Sequence, residues 1–174
     1  MTEAAALATD ILALGTVLAL LASAAIFALL ASRKGQVLNA LRPHALLIAF
    51  LVSLGASVMT LVYSDVWGIA PCGLCWLQRA LLYPMPIVLG IALFARDSGV
   101  WKYLVGLSVP GAAIALYQHL LQMGAVGALP CPAAPGAADC AQRIIFEFGF
   151  VTFPLMAVAA FALIAALALM SRPR

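Results

Sequence analysis

The sequence predicts an all-α fold, an integral membrane helical bundle, and two observations lead to this prediction. The 174-residue chain is 66% hydrophobic and only 9% charged, with a mean hydropathy of +1.15. A chain of this composition cannot bury its apolar side chains in one soluble core, so it needs lipid as its solvent. It also contains five apolar stretches close to the roughly 20 residues that a membrane-spanning helix needs. These predicted spans are residues 11–31, 45–63, 76–95, 103–123 and 151–170.

The first span is predicted to be a retained helix and not a cleaved signal peptide. Glu3 and Asp10 precede it where a signal peptide carries basic residues, and Arg33 and Lys34 follow it. Its segment ASAAIFALLAS is rich in small residues, which favour close packing between helices. We therefore expect residues 1–44 to form an additional N-terminal transmembrane helix with a cytoplasmic loop. Residues 45–174 are expected to form a separate core of four transmembrane helices.

The distribution of charge predicts how the chain crosses the membrane. Seven of the nine basic residues fall on one side of the predicted spans, and lysine and arginine mark the cytoplasmic side. Five of the six acidic residues fall on the other side, with Asp97 as the exception. The N-terminus is therefore expected outside and the C-terminus in the cytoplasm, and the net charge of +3 gives no reason to expect nucleic acid. The seven basic residues are Arg33, Lys34, Arg42, Arg96, Lys102, Arg172 and Arg174.

All four cysteines fall in the two outer connections that this topology predicts. Cys72 and Cys75 lie before the third span, and Cys131 and Cys140 lie between the fourth and fifth spans. They are thus expected to share one oxidising compartment. The second connection begins with a proline-, glycine- and alanine-rich segment, which predicts a mobile loop. Its second half, AQRIIFEFGF, fits either a segment in the headgroup plane or an ordinary loop.

A Cys-x-x-Cys pair opens the third span in the segment PCGLCWLQR. Helix N-termini stabilise thiolates through their unpaired N–H groups and the helix dipole, so this position suits redox chemistry. Two alternatives stay open. The four cysteines could complete a zinc site, although Cys131 and Cys140, nine residues apart, lack the tight spacing of structural zinc sites. Structural disulfides could also simply staple the outer loops.

Arg79 and His119 are the polar side chains expected near the depth of the thiols. Arg79 follows Cys75 by four residues, so the two share a helical face, where a cation favours the thiolate and stabilises negative charge developing on a carbonyl. His119 lies near the outer end of the fourth span, where Gln118 and Gln122 flank it and help to outline a polar pocket. The alternatives are that Arg79 snorkels to the headgroups and that His119 is a packed or interfacial residue. A polar pocket beside a redox thiol at the bilayer edge predicts a membrane quinone as its ligand.

The segments PCGLCWLQRALLYP, YQHLLQ and CAQRIIFEFGFVTFP, together with the order of the cysteines, resemble the DsbB family of quinone-dependent thiol oxidases. The short loop between Cys131 and Cys140 is most similar to the BdbC-type branch of that family. The resemblance covers about residues 45 to 170 and implies an enzyme that reoxidises an extracytoplasmic, thioredoxin-fold oxidase of the DsbA or BdbD kind. Electrons would pass to ubiquinone or menaquinone. The departure is the additional N-terminal span, since members of this family usually have four.

The resemblance also implies a role for each cysteine. Cys131 and Cys140 would form the disulfide that meets the partner, with Cys131 attacked to give a mixed disulfide. Cys140, released as a thiolate, would attack Cys72. Cys75 would then be released as the thiolate that faces the quinone.

Arg79 and His119 would hold the quinone head, and no metal is predicted. A rival assignment is a protein like vitamin K epoxide reductase, but that family carries its Cys-x-x-Cys in the last core span, after its loop cysteines. The order is reversed here. A second rival is a non-catalytic membrane protein with structural disulfides.

Overall fold

The structure, a computed structural model, describes residues 3–32, 38, 40–127, 131 and 138–173. Across these ranges the regular structure is helical, with one isolated bridge between Glu147 and Val151, and this confirms the predicted all-α class. The helices are α1 (Glu3–Ala31), α2 (Ala45–Leu61), α3 (Gly73–Leu82), α4 (Pro84–Ala95), α5 (Trp101–Gln122) and α6 (Phe153–Ser171).

Five helical segments of the described chain are long and apolar enough to cross a membrane, which confirms the predicted membrane bundle. The first begins at Glu3, ahead of the predicted residue 11, because the segment EAAALATD consists mostly of strong helix formers. The second continues from α2 through a π-helical turn, Val62–Val66. The segments are Glu3–Ala31, Arg42–Val66, Gly73–Ala95, Ser98–Gln122 and Phe153–Ser171.

Proline divides the third span into α3 and α4. Tyr83 still donates its backbone N–H to the carbonyl of Arg79, at 2.9 Å, but Pro84 has no N–H with which to continue the ladder. The hydroxyl groups of Tyr83 and Thr60 lie 3.0 Å apart and share a hydrogen bond, which ties this break to α2. Other side chains thus support the break, as transmembrane helices with proline require.

The last helix, α6, is the centre of the bundle. It packs against α1, α2 and α5, and it is the most buried of the five described spans. Gly111 of α5 faces Phe161 of α6 so closely that a Cβ atom at residue 111 would lie 2.5 Å from the phenylalanine ring. Only glycine therefore permits this contact, which sets the spacing between the two helices.

The additional helix, α1, packs against α6 through one face of small residues. Thr9 and Thr16 are buried there among alanines, and Ser23 and Ile26 extend the face. Thr9 donates its hydroxyl to the carbonyl of Ala5, and its oxygen lies 2.7 Å from the hydroxyl of Tyr63, in the π-helical turn. The packing face therefore lies mostly ahead of the segment ASAAIFALLAS, of which Ser23 and Ile26 are the buried members, and the role predicted for that segment stays a prediction.

Three of the predicted cytoplasmic basic residues gather at one end of the bundle. Arg42 donates from Nε to the carbonyl of Met170, at 3.0 Å. The guanidinium of Arg172 and the ammonium of Lys102 both lie over the ring of Trp101. Arg33, Lys34 and Arg174, and the proline-rich segment predicted to be mobile (residues 128–130 and 132–137), lie outside the described residues.

Candidate thiol site and membrane cavity

The Cys-x-x-Cys pair lies at the N-terminus of α3, at the end of the bundle opposite these basic residues. Cys72 is the N-cap residue, and its sulfur accepts a hydrogen bond from the backbone N–H of Cys75, at 3.3 Å. The two sulfurs are 2.6 Å apart, and both residues are free thiols. Cys72 lies just before the span. The pKa of its thiol is raised mainly by the hydrogen bond with the sulfur of Cys75 and, to a lesser extent, by burial. Of the two sulfurs, that of Cys75 is therefore the one positioned to carry negative charge.

The other two cysteines form a disulfide directly beside this pair. Cys131 and Cys140 are bonded, with their Cα atoms 6.2 Å apart. Cys140 is only 1% exposed and packs with Cys72 and Leu121, whereas Cys131 is half-buried at the edge of the same cluster. A reagent from solution therefore reaches the sulfur of Cys131 more readily than that of Cys140.

Gln118, on α5, connects the two pairs. Its side-chain amide donates to the sulfur of Cys72 at 3.0 Å and to the carbonyl of Cys140 at 3.4 Å. Its oxygen accepts a hydrogen bond from the side chain of Gln78, at 2.7 Å. One buried amide thus touches both pairs and fixes the distance between them.

Arg79 is buried one turn after Cys75, and neutral groups hold its guanidinium. It donates to the carbonyl of Thr60 at 2.8 Å and to the hydroxyl of Ser64 at 3.2 Å, and it lies over the ring of Trp76. Burying a cation is costly, and these contacts satisfy its N–H groups without cancelling its charge. The positive charge therefore remains available to a nearby anion or carbonyl.

A large cavity opens beside Cys75 and Arg79. Its volume is about 720 Å³, within the roughly 300–1,000 Å³ typical of small-molecule sites. Cys75, Gln78, Arg79 and Gln118 give it one polar region, and the remaining walls are mostly apolar. Cys72 does not line it. The two thiols therefore face different neighbours, Cys72 the loop disulfide and Cys75 the cavity.

His119, the other predicted ligand residue, points elsewhere. Its Nδ1 lies 2.9 Å from the hydroxyl of Thr152, the N-cap residue of α6, and His119 is not among the cavity-lining residues. Its predicted contact with a quinone stays a prediction. Its neighbour Gln118, which the sequence analysis placed beside it in the polar pocket, lines the cavity instead.

One residue of the candidate site, Gln78, was missed from the sequence, whereas Gln118 was predicted only as a flanking member of the polar pocket. Both become significant because their side chains meet across α3 and α5, forty residues apart in the chain. The available signal was that both are amides inside spans, where an unpaired polar group is costly. Among the described residues, no group of three or more His, Cys, Asp or Glu side chains is arranged to hold a metal ion.

Comparison with known proteins relates this site to one family. The family model described as disulfide bond formation protein DsbB matches residues 40–171. A probable disulfide formation protein of Metapseudomonas resinovorans is 37% identical over 131 residues, which cover 75% of this chain and 91% of that relative. Disulfide bond formation protein C of Bacillus subtilis is 38% identical over 118 residues, or 67% of this chain and 83% of that relative. No solved structure matches the chain.

Proposed function

Because this chain belongs to the DsbB family of disulfide bond formation proteins and is therefore a membrane disulfide oxidoreductase, we propose that it reoxidises a thioredoxin-fold dithiol oxidase and passes the electrons to membrane quinone. The family and the five apolar helices fit a multi-pass protein of the bacterial inner membrane. One observation carries the proposal: the two cysteine pairs meet at Gln118, and only the inner pair, through Cys75, faces the cavity.

The first exchange takes place at the loop disulfide. A thiolate of the partner, a protein of the DsbA or BdbD kind, attacks the more exposed sulfur of Cys131, and the bond to Cys140 breaks. Cys140 leaves as a thiolate. The partner's second thiol then attacks the mixed disulfide, releasing Cys131 as a thiol and leaving the partner oxidised. The partner has lost two electrons, and the loop pair has gained them.

The second exchange moves these electrons inward. The Cys140 thiolate attacks Cys72 in the oxidised form of the inner pair, and Cys75 leaves as a thiolate. Cys131 then attacks the bond between Cys140 and Cys72, which restores the loop disulfide and releases Cys72. The Cys72 sulfur leaves as a thiolate, and its raised pKa favours its protonation afterwards, which leaves the negative charge to Cys75.

The cavity fits a quinone. Its polar region supplies a guanidinium for a carbonyl oxygen of the head, through Arg79, and its apolar walls suit an isoprenoid tail. When bound, a quinone accepts two electrons and two protons. Residues of the chain hold the head beside Cys75 and stabilise negative charge there. Both ubiquinone and menaquinone meet this description, and the surrounding lipid supplies either.

We place the cysteine end of the bundle on the extracytoplasmic side. The gathering of Arg42, Lys102 and Arg172 at the other end supports this orientation, since basic residues favour the cytoplasmic side. The proposed topology has the N-terminus outside and the C-terminus in the cytoplasm. Both disulfide exchanges then occur in an oxidising compartment.

The experiment uses the purified full chain, a reduced thioredoxin-fold oxidase and a quinone, with quinol formation followed by absorbance. We expect Cys75→Ser to reduce quinol formation to background, because no thiol would remain beside Arg79. Undiminished quinol formation by this variant would overturn the assignment of Cys75.

A trapping experiment separates an enzyme from a protein whose disulfides are only structural. In Cys140→Ser, Cys131 is a free thiol, and the partner is supplied in its oxidised form. The Cys131 thiolate attacks the partner's disulfide and releases one partner thiolate. Because Cys140 is absent and cannot displace the attached partner, we expect a mixed disulfide at Cys131 that is visible on a non-reducing gel. The matched variant Cys131→Ser should give no such product at residue 131. A variant Cys140→Ser that captures no partner would support the structural alternative.

A further inference from the structure

The cavity beside Cys75 has a wall that lies outside the family's matched region. Residues of α1 between Ile11 and Ala22 line it, whereas the family model begins at residue 40. Leu12, Gly15, Ala19 and Ala22 contribute to this wall and recur every three or four residues, as one face of a helix does. The additional helix therefore completes a space that the four other spans leave open.

This wall is fixed to the core at the thiol end. The hydrogen bond between Thr9 and Tyr63 is buried, and Tyr63 itself lines the cavity. Beyond it, α1 packs against α6 along its small-residue face. The orientation of α1 about its own axis is thus set, and Gly15 is held toward the cavity.

The shape of the cavity suits a long apolar ligand. The wall from Ile11 to Ala22 covers about 16 Å along the helix axis, at roughly 1.5 Å per residue, which is about half of the hydrocarbon layer. A Cβ atom at Gly15 of α1, or at Gly55 of α2, would meet nothing within 4 Å, and both glycines line the cavity. These two positions leave space where side chains would otherwise fill the gap between the helices.

We propose that α1 forms part of the binding site for the isoprenoid tail of the quinone. This inference rests on the proposed function, since the head must lie beside Cys75 and Arg79 for the tail to follow the cavity away from them. The tail then lies between α1, α2 and α6, and its end passes into the lipid. The additional helix thereby makes the affinity for quinone depend on the tail as well as on the head.

The test compares two quinones with the same head, one with a long isoprenoid tail and one with no tail. The substitutions Gly15→Phe and Gly55→Phe place a ring in the cavity from either wall. The matched control is Gly106→Phe, because Gly106 also has open space at its Cβ but does not line the cavity. We measure KM for both quinones with the reduced partner protein as the electron donor, and the Kd of each quinone by equilibrium binding without the partner, where the same ratio is expected to change.

We expect each cavity substitution to raise the ratio of the two KM values, long-tailed over tailless, by about tenfold or more, since it removes binding that only the tail makes. The control should leave this ratio within about twofold of the wild-type value. A second pair, Ala19→Phe in the wall and Ala25→Phe on an exposed face of α1, decides the question if the glycine variants do not fold.

Two outcomes are distinguishable. If the wild-type protein reduces quinone but the KM ratio is unchanged in both Gly15→Phe and Gly55→Phe, the role of α1 would be overturned. That result would indicate that only bilayer lipid fills the cavity. A wild-type protein that reduces neither quinone would overturn the proposed function and, with it, this inference.

Discussion

The two cysteine pairs of this protein differ in how they are held. Cys72 and Cys75 begin a helix, and their sulfurs are fixed by the helix N-terminus and by Gln118. Cys131 and Cys140 belong to a connection whose described residues form no helix, and Cys131 is half-buried. The difference teaches that the two pairs suit different reaction partners. In the proposed function, the loop pair needs access to a protein, and the inner pair needs a fixed position beside a ligand in the membrane.

The largest effect should come from removing a sulfur at the junction of the pairs. We expect Cys72→Ser to reduce quinol formation to background, because the loop thiols would have no disulfide to attack. The loop disulfide of this variant should still oxidise one equivalent of partner, which quantitative thiol labelling would detect. The companion variant Cys131→Ser should lose both activities. Quinol formation by Cys72→Ser at the wild-type rate would show that electrons bypass the inner pair.

A substitution of Arg79 tests the contact between the inner pair and its proposed ligand. Arg79→Leu removes the buried charge beside Cys75, and we expect quinone turnover to fall by roughly 100-fold, as when a group that stabilises developing charge is lost. Formation of the mixed disulfide at Cys131 should keep its rate. Arg143→Leu is the control, since Arg143 lies over Phe146 and does not line the cavity. Equal losses in the two variants would count against a local role for Arg79.

A substitution of Gln118 tests whether the two cysteine pairs are coupled. Gln118→Leu keeps the bulk of the side chain but removes the shorter of the two hydrogen bonds that Gln78 donates and the side-chain donor to the sulfur of Cys72. We expect electron transfer between the pairs to slow by about tenfold, in line with the loss of one buried hydrogen bond. Rapid quenching followed by thiol labelling of each pair would measure this rate of transfer.

The matched variant for that experiment is Gln122→Leu. Gln122 also donates to the carbonyl of Cys140, and to that of Gln142, but it makes no hydrogen bond with a sulfur in the described structure. Its effect on transfer should be smaller. If Gln122→Leu slows electron transfer more than Gln118→Leu does, the two pairs are coupled through the backbone of Cys140 and not through the sulfur of Cys72.

The smallest effect on the chemistry is expected at the scaffold that both pairs share. Gly111→Ala forces a methyl group against Phe161, and we expect it to lower the free energy of unfolding by about 1–3 kcal/mol. The melting temperature in detergent would measure this loss. Gly106→Ala, with open space at its Cβ, should be neutral or slightly stabilising. Equal melting temperatures for the two variants would contradict the close approach of α5 and α6.

Much of the fold could be predicted from the sequence because a membrane span is a local property. The run of apolar residues that forms α6, for example, is sufficient to identify it. The position of Cys72 at a helix start also followed from local signals, namely Pro71 and the apolar residues after Cys75. The division of the third span into α3 and α4 required knowledge of which groups satisfy the carbonyls near Pro84.

The candidate site was less predictable because it depends on packing between distant segments. The choice between His119 and Gln118 is set by the rotation of α5, which the contact between Gly111 and Phe161 constrains. Neighbouring residues on a helix point about 100° apart, so a small rotation exchanges their surroundings. The cavity depends on five helices at once, α1, α2, α3, α5 and α6, and no single segment of the sequence carries a signal for it.

The neutral partners of Arg79 have a consequence for any ligand that enters the cavity. The carbonyl of Thr60 and the hydroxyl of Ser64 carry no formal charge, so neither forms an ion pair with the guanidinium. A ligand that comes to carry negative charge beside Cys75 therefore has no anion of these two groups to displace from Arg79.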